Sequence, residues 1–108
     1  MPCLSRFPAQ WVLPLALLGG ALRVQAQDAL ATKYACVACH NAERKVVGPS
    51  WKDIAAKYAN GGKSAEVLAQ SIKKGGGGNW GAIPMPPQPT LPDQDALALS
   101  RWILAIKP

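Results

Sequence analysis

Apolar residues along this chain recur at helical spacing in four places, and no segment sustains the alternation of a half-buried strand. Leu30, Tyr34 and Val37 fall at i, i+4 and i+7, on one face of a helix that Asp28 is placed to cap. Trp51, Ile54 and Tyr58 mark a short second helix, stopped by Asn60-Gly61-Gly62. Ser64 is a suitable N-cap for a third. Glu66 lies in its first turn, Val67, Leu68, Ser71 and Ile72 face inward, and Gly75 to Gly78 end it. The last helix runs from about Asp93 to Lys107, with Leu99, Ile103 and Ile106 as its stripe and Trp102 beside it. Its acids come first and its bases late, the sense that the helix dipole favours. No stretch is rich in β-branched residues, so the pattern predicts an all-α fold of about four helices joined by long loops.

One apolar run does not fit that pattern. Residues 11–22, WVLPLALLGGAL, contain no polar side chain and follow a segment carrying Arg6 and no acid. Twelve residues fall short of the roughly 20 needed to span a bilayer but suit the core of a secretory signal peptide. Val24-Gln25-Ala26 resembles a signal-peptidase site, so residues 1–26 read as a cleaved signal and 27–108 as the single domain. Pro14, Gly19 and Gly20 interrupt the run and weigh against an uncleaved anchor. The expectation is a periplasmic protein with no stable membrane insertion after cleavage.

Cleavage leaves 82 of the 108 residues, with ten Lys or Arg against six Asp or Glu. That mild positive charge suggests solubility and gives no sign of nucleic-acid binding. A domain this small commonly needs a disulfide, a metal or a cofactor to complete its core. The predicted domain contains two cysteines, Cys36 and Cys39, one histidine, His40, and one methionine, Met85. Metal chemistry must rest mainly on these four. Gly62-Lys63-Ser64 ends like a phosphate-binding loop, but the glycine required five places earlier is Lys57 and no strand precedes it. Pro84-x-x-Pro87 and Pro86-x-x-Pro89 match a polyproline recognition pattern that has little relevance in an exported protein.

Cys36-Val37-Ala38-Cys39-His40 is the C-x-x-C-H pattern of c-type haem attachment. On a helix, residues at i, i+3 and i+4 share a side. Two thiols three apart can thus reach the two vinyl groups of one porphyrin, while the following imidazole faces the iron. A thioredoxin-like dithiol would need a βαβ setting, which is absent. Tetrahedral zinc would want four N or S ligands where three are present. A Cys36–Cys39 disulfide would leave His40 unexplained. His40 being the only histidine, the sixth iron position falls to Met85, a soft ligand that raises the potential of cytochromes c. Met85 is set in Ile83-Pro84-Met85-Pro86-Pro87, and a methionine that merely filled a core gap would need no such stiff backbone.

Across 27–108 the chain resembles the class I cytochromes c of the short, monohaem, bacterial periplasmic kind. The likeness rests on C-V-A-C-H at 36–40, V-G-P at 47–49, W-K-D-I-A-A-K-Y at 51–58, N-W-G-A-I-P-M-P-P at 79–87 and R-W-I-L at 101–104. It implies one covalently bound haem c, thioethers at Cys36 and Cys39, and His40 and Met85 as axial ligands. It further implies that the Pro49 carbonyl accepts the His40 N–H and that Trp80 donates its indole N–H to a haem propionate. Gln88 stands where relatives often carry Asn, whose amide can approach the ligating sulfur, which makes Gln88 a candidate contact for Met85. Ser71 stands where some carry an Arg that can pair with a propionate. The resemblance implies a monomeric one-electron carrier rather than an enzyme. A cytochrome bc1-type complex or another donor would supply it, and a nitrite reductase, oxidase or peroxidase would accept from it. The alternative is a haem protein with a labile sixth ligand, peroxidase-like or gas-binding. Lys33, Lys45, Lys57, Lys63, Lys73 and Lys74 are candidates for a basic rim that steers acidic partners. Val37, Trp51, Leu68, Ile72 and Ile83 are expected around the haem.

Overall fold

Serines cap two of the helices, Ser64 as anticipated and Ser50 in addition. Ser50 Oγ accepts from the Asp53 N–H at 3.0 Å and Ser64 Oγ from the Val67 N–H at 3.2 Å, each satisfying a donor that a helix start leaves open. In the computed structural model, which describes residues 19–107, the elements in order are α1 (Gly19–Lys33), a single 3-10 turn (Cys36–Ala38), α2 (Trp51–Tyr58), α3 (Ala65–Lys74) and α4 (Asp93–Leu104). The described residues form no strand, only isolated bridges between His40 and Lys45 and between Gly76 and Met85. The expected all-α fold with four helices and long loops is what the described residues adopt. No helix among the described residues is long and apolar enough to cross a membrane.

Helix α4 is the central post. Helices α1, α2 and α3 all pack against it, and its Ala96, Leu99 and Ile103 are buried among Ala31, Trp51, Ile54, Tyr58, Leu68, Ala69 and Leu91. Ser100 is fully buried on α4 and donates to the Ala96 carbonyl at 2.8 Å, so its hydroxyl is satisfied within the helix. Tyr34, just past α1, donates to Asp95 Oδ2 at 2.6 Å and ties that corner to the first turn of α4.

Several boundaries differ from those read in the sequence. Helix α1 does not begin at Asp28, which lies inside it; the residues Val24-Gln25-Ala26-Gln27 before it are already helical. The predicted cleavage point after Ala26 therefore falls within α1, while most of the apolar run, residues 11–18, lies outside the described residues. Ala35 takes up a left-handed conformation, φ 58° and ψ 23°, which breaks the helix before the cysteines. Val37 consequently leaves the apolar face on which Leu30 and Tyr34 remain, and it is 50 % exposed. Val67 is likewise 51 % exposed, because α3 meets α4 through Leu68 and Ala69 and each residue turns the face by about 100°. Helix α4 ends at Leu104, three residues early; Lys107 precedes Pro108, where helical backbone is disfavoured.

Candidate metal centre

The C-x-x-C-H segment folds as one tight turn rather than as part of a longer helix. The N–H groups of Cys39 and His40 both donate to the Cys36 carbonyl, at 3.1 and 3.0 Å. This draws the two cysteines and the histidine onto one wall of a cavity. Both thiols are free, which removes the disulfide reading. Among the described residues no group of three or more His, Cys, Asp or Glu converges as a closed zinc site requires. Burial raises the Cys36 thiol pKa above its ordinary value, an effect that its backbone hydrogen bond partly offsets.

His40 is held from three sides. Its Nδ1 donates to the Pro49 carbonyl at 2.7 Å, leaving Nε2 as the nitrogen with a lone pair. Its ring stacks on Trp51 with centroids 4.6 Å apart and planes 22° apart, and Trp102 meets Trp51 edge-on at 5.6 Å. Loop 41–50 brings Pro49 there by folding back. Asn41 Oδ1 accepts from the N–H of Glu43, the Asn41 carbonyl accepts from the Trp51 N–H, and the Gly48 N–H donates to the Cys39 carbonyl at 2.8 Å. A Cβ on Gly48 would lie 2.8 Å from His40 Cε1 and 3.1 Å from Nδ1, so only glycine lets the loop pass this close.

Met85 arrives from the opposite side in sequence, 45 residues on, and its loop is stitched to the end of α3. Gly76 and Met85 exchange two backbone hydrogen bonds, 3.0 and 2.8 Å, and the Gln88 N–H donates to the Lys73 carbonyl at 2.9 Å. Gly75 sits at φ +64°, and a Cβ there would collide with the Met85 carbonyl and lie 2.7 Å from Pro87 N. The glycine run thus seats the methionine strap as well as ending the helix.

These pieces enclose a cavity of about 330 Å³ lined by Cys36, Cys39, His40 and Met85 together with Pro49, Trp51, Leu68, Ile72 and Trp80. Two thiols, an imidazole, a thioether and an otherwise mostly apolar wall fit a covalently tethered macrocycle whose iron takes one N and one S ligand. Of the five residues expected around it, Trp51, Leu68, Ile72 and Ile83 line the cavity, whereas Val37 lines a separate surface groove. Trp80 lies edge-on to Tyr58 at 6.1 Å, and its indole N–H has no protein acceptor among the described residues. Gln88 does not line the cavity, and its amide donates to the Pro86 carbonyl at 3.3 Å rather than reaching Met85. The candidate lysine rim is uneven: Lys73 pairs with Asp93, Lys57 Nζ donates to the Asn79 carbonyl, and Lys63 is turned into the cavity wall.

Sequence reasoning missed Gly48, Gly75 and the inward turn of Lys63. A glycine directly before the proline that receives the histidine, and one directly before the methionine strap's partner Gly76, were the available signals.

The family model described as cytochrome c matches residues 26–107. Cytochrome c-552 of Nitrosomonas europaea is 55% identical over 83 residues, covering 77% of this chain and 81% of the relative. Cytochrome c-551 of Stutzerimonas stutzeri is 45% identical over 101 residues, covering 89% and 96%. The crystal structure of wild-type Nitrosomonas europaea cytochrome c552 superposes with a TM-score of 0.69 at 56% identity, covering 71% of this chain and 95% of that one.

Proposed function

The chain belongs to the cytochrome c family and carries one covalently attached haem c, and from that premise we propose that it is a periplasmic one-electron carrier with His40 and Met85 as axial ligands. When bound, haem c supplies an iron centre that alternates between ferrous and ferric states. The work of the polypeptide is to keep that centre's surroundings the same in both states. Cys36 and Cys39 tether it, Pro49 fixes the His40 tautomer and raises its basicity, and the Gly76–Met85 bridge holds the thioether in place. With His40 and Met85 both available to the iron, no substrate would need to reach the metal, and the protein would act as a carrier rather than as an enzyme.

The observation that supports this reading most directly is the meeting of Cys36, Cys39, His40 and Met85 on one cavity, although 45 residues separate the histidine from the methionine. Residues 1–26 are proposed as a cleaved export signal, consistent with a family match that starts at residue 26. The proposed donors are a cytochrome bc1-type complex or its equivalent, and the acceptors a nitrite reductase, oxidase or peroxidase in respiration or denitrification. Exposed Lys33, Lys45 and Lys74 would steer acidic partners and weaken in that role as salt rises.

Two measurements test the reading. The mass of the exported protein reports covalent haem and cleavage after Ala26. The long-wavelength sulfur-to-ferric-iron band reports ligation by Met85 and should vanish in Met85→Ala. A wild-type protein that lacks the band and binds carbon monoxide readily would instead be a haem protein with a labile sixth ligand.

A further inference from the structure

We infer that Lys63 is the cation that pairs with a haem propionate in this protein, a role that rests on the haem reading above. Among the described residues Lys63 is the one charged side chain in the cavity lining. Haem presents two carboxylates, and a carboxylate next to an apolar wall needs a partner charge or strong donors to remain ionised. Every other lining residue is apolar, a thiol, a metal-ligand candidate or a neutral polar group.

The ammonium is held, not loose. Lys63 follows the C-terminal turn of α2, where the Gly62 and Lys63 N–H groups both reach the Tyr58 carbonyl, at 3.2 and 3.4 Å. Its Nζ donates to Ser71 Oγ at 3.2 Å, and the Ser71 hydroxyl commits its only proton to the Val67 carbonyl at 3.1 Å. That leaves a hydroxyl lone pair for Lys63 and fixes where the ammonium sits. The same ammonium lies 4.7 Å from the Tyr58 ring centroid, and Trp80 contacts that ring edge-on. Tyr58 is thus a shared platform for the cavity's cation and its free indole donor, and together they make a polar corner in an otherwise apolar lining. With three donors on Nζ and one used by Ser71, the ammonium keeps two for a carboxylate. Ser71 is therefore not simply the absence of a base at its position; it anchors a lysine from the neighbouring loop.

The neighbouring cation serves as the control. Lys57 also lies over Tyr58 and over Trp80, at 5.5 and 4.4 Å, but it does not line the cavity and its Nζ is engaged by the Asn79 carbonyl. The experiment compares wild type with Lys63→Gln, Lys63→Arg and Lys57→Gln in the exported, haem-loaded protein. The readouts are reduction potential and the propionate-bending band in the resonance Raman spectrum. A positive charge beside the haem disfavours ferric iron, so Lys63→Gln should lower the potential and shift the propionate band. Lys63→Arg should restore both, and Lys57→Gln should move both less. Equal shifts for the two Gln variants, or an unmoved propionate band in Lys63→Gln, would overturn the assignment. The mass of each variant keeps the two levels apart: haem present with an unmoved band defeats the Lys63 pairing alone, while absent haem defeats the underlying reading.

Discussion

The Nδ1 of His40 lies 2.7 Å from the carbonyl oxygen of Pro49, nine residues away. A carbonyl can only accept, so Nδ1 carries a proton and, in the neutral ring, the lone pair falls on Nε2, the tautomer an iron ligand needs. Pro49 can offer that oxygen because its loop passes His40 without a side chain at position 48.

Filling that gap should displace the ring. In Gly48→Ala the new methyl group meets His40 Cε1 and Nδ1 inside ordinary contact distance, so the imidazole must tilt away from Pro49. The expected cost is about 1–3 kcal/mol of stability from strain and a weakened, partly buried hydrogen bond. Thermal unfolding of the haem-loaded variant measures it, and an unchanged midpoint would show that the loop yields freely.

Gly75→Ala should act on the other side of the site. Position 75 combines φ +64° with backbone of the Met85 strap packed against the missing Cβ. The substitution should lift the strap from α3, costing about 1–3 kcal/mol. The sulfur-to-iron band should weaken while the covalent haem mass stays. If the band keeps its wild-type intensity, the strap does not depend on this close approach.

Replacing Cys36 and Cys39 together with Ala should damage the fold as well as the chemistry. Trp51, Leu68, Leu99 and Ile103 belong both to the buried core and to the cavity wall, so the tethered group completes the same core. The expected result is an export product without a cooperative thermal transition. A double variant that unfolds cooperatively without haem would contradict this.

Tyr34 gives the stability an alkaline limb. Its hydrogen bond to Asp95, with some desolvation and the nearby carboxylate charge, raises the phenol above its ordinary pKa of 10.0. A folded-state pKa above the unfolded one means that the contribution is complete below pH 10.0 and is lost as pH climbs through the raised value. Urea midpoints measured from neutral to strongly alkaline pH should therefore fall more steeply for wild type than for Tyr34→Phe. Parallel curves would remove Tyr34 from the account.

The attachment site and the helices were legible in the chain because both are local. C-x-x-C-H places three functional groups within one turn, and the stripes at 51–58, 68–72 and 99–103 need only helical periodicity to be read. Proline restriction around Met85 is also a property of adjacent residues. What periodicity could not supply was set by single backbone states and by contacts between distant segments. The left-handed Ala35 turned Val37 outwards against an apolar pattern that favoured burial. Gln88 looked free to approach the sulfur, yet its amide donates to the Pro86 carbonyl on its own strap.

The sequence by itself determined which groups are available: two thiols, one imidazole, one thioether, and the helices that carry or flank them. Only the tertiary structure decided how they are used. Docking of α2 and α3 on α4 set the cavity between His40 and Met85, and two glycines let backbone come close enough to aim both side chains. The same docking put Trp51 on the His40 ring and turned Lys63 from a surface charge into part of the cavity wall. The physical reason is that spacing along a chain specifies a face of one helix. The partner of that face depends on packing between elements tens of residues apart.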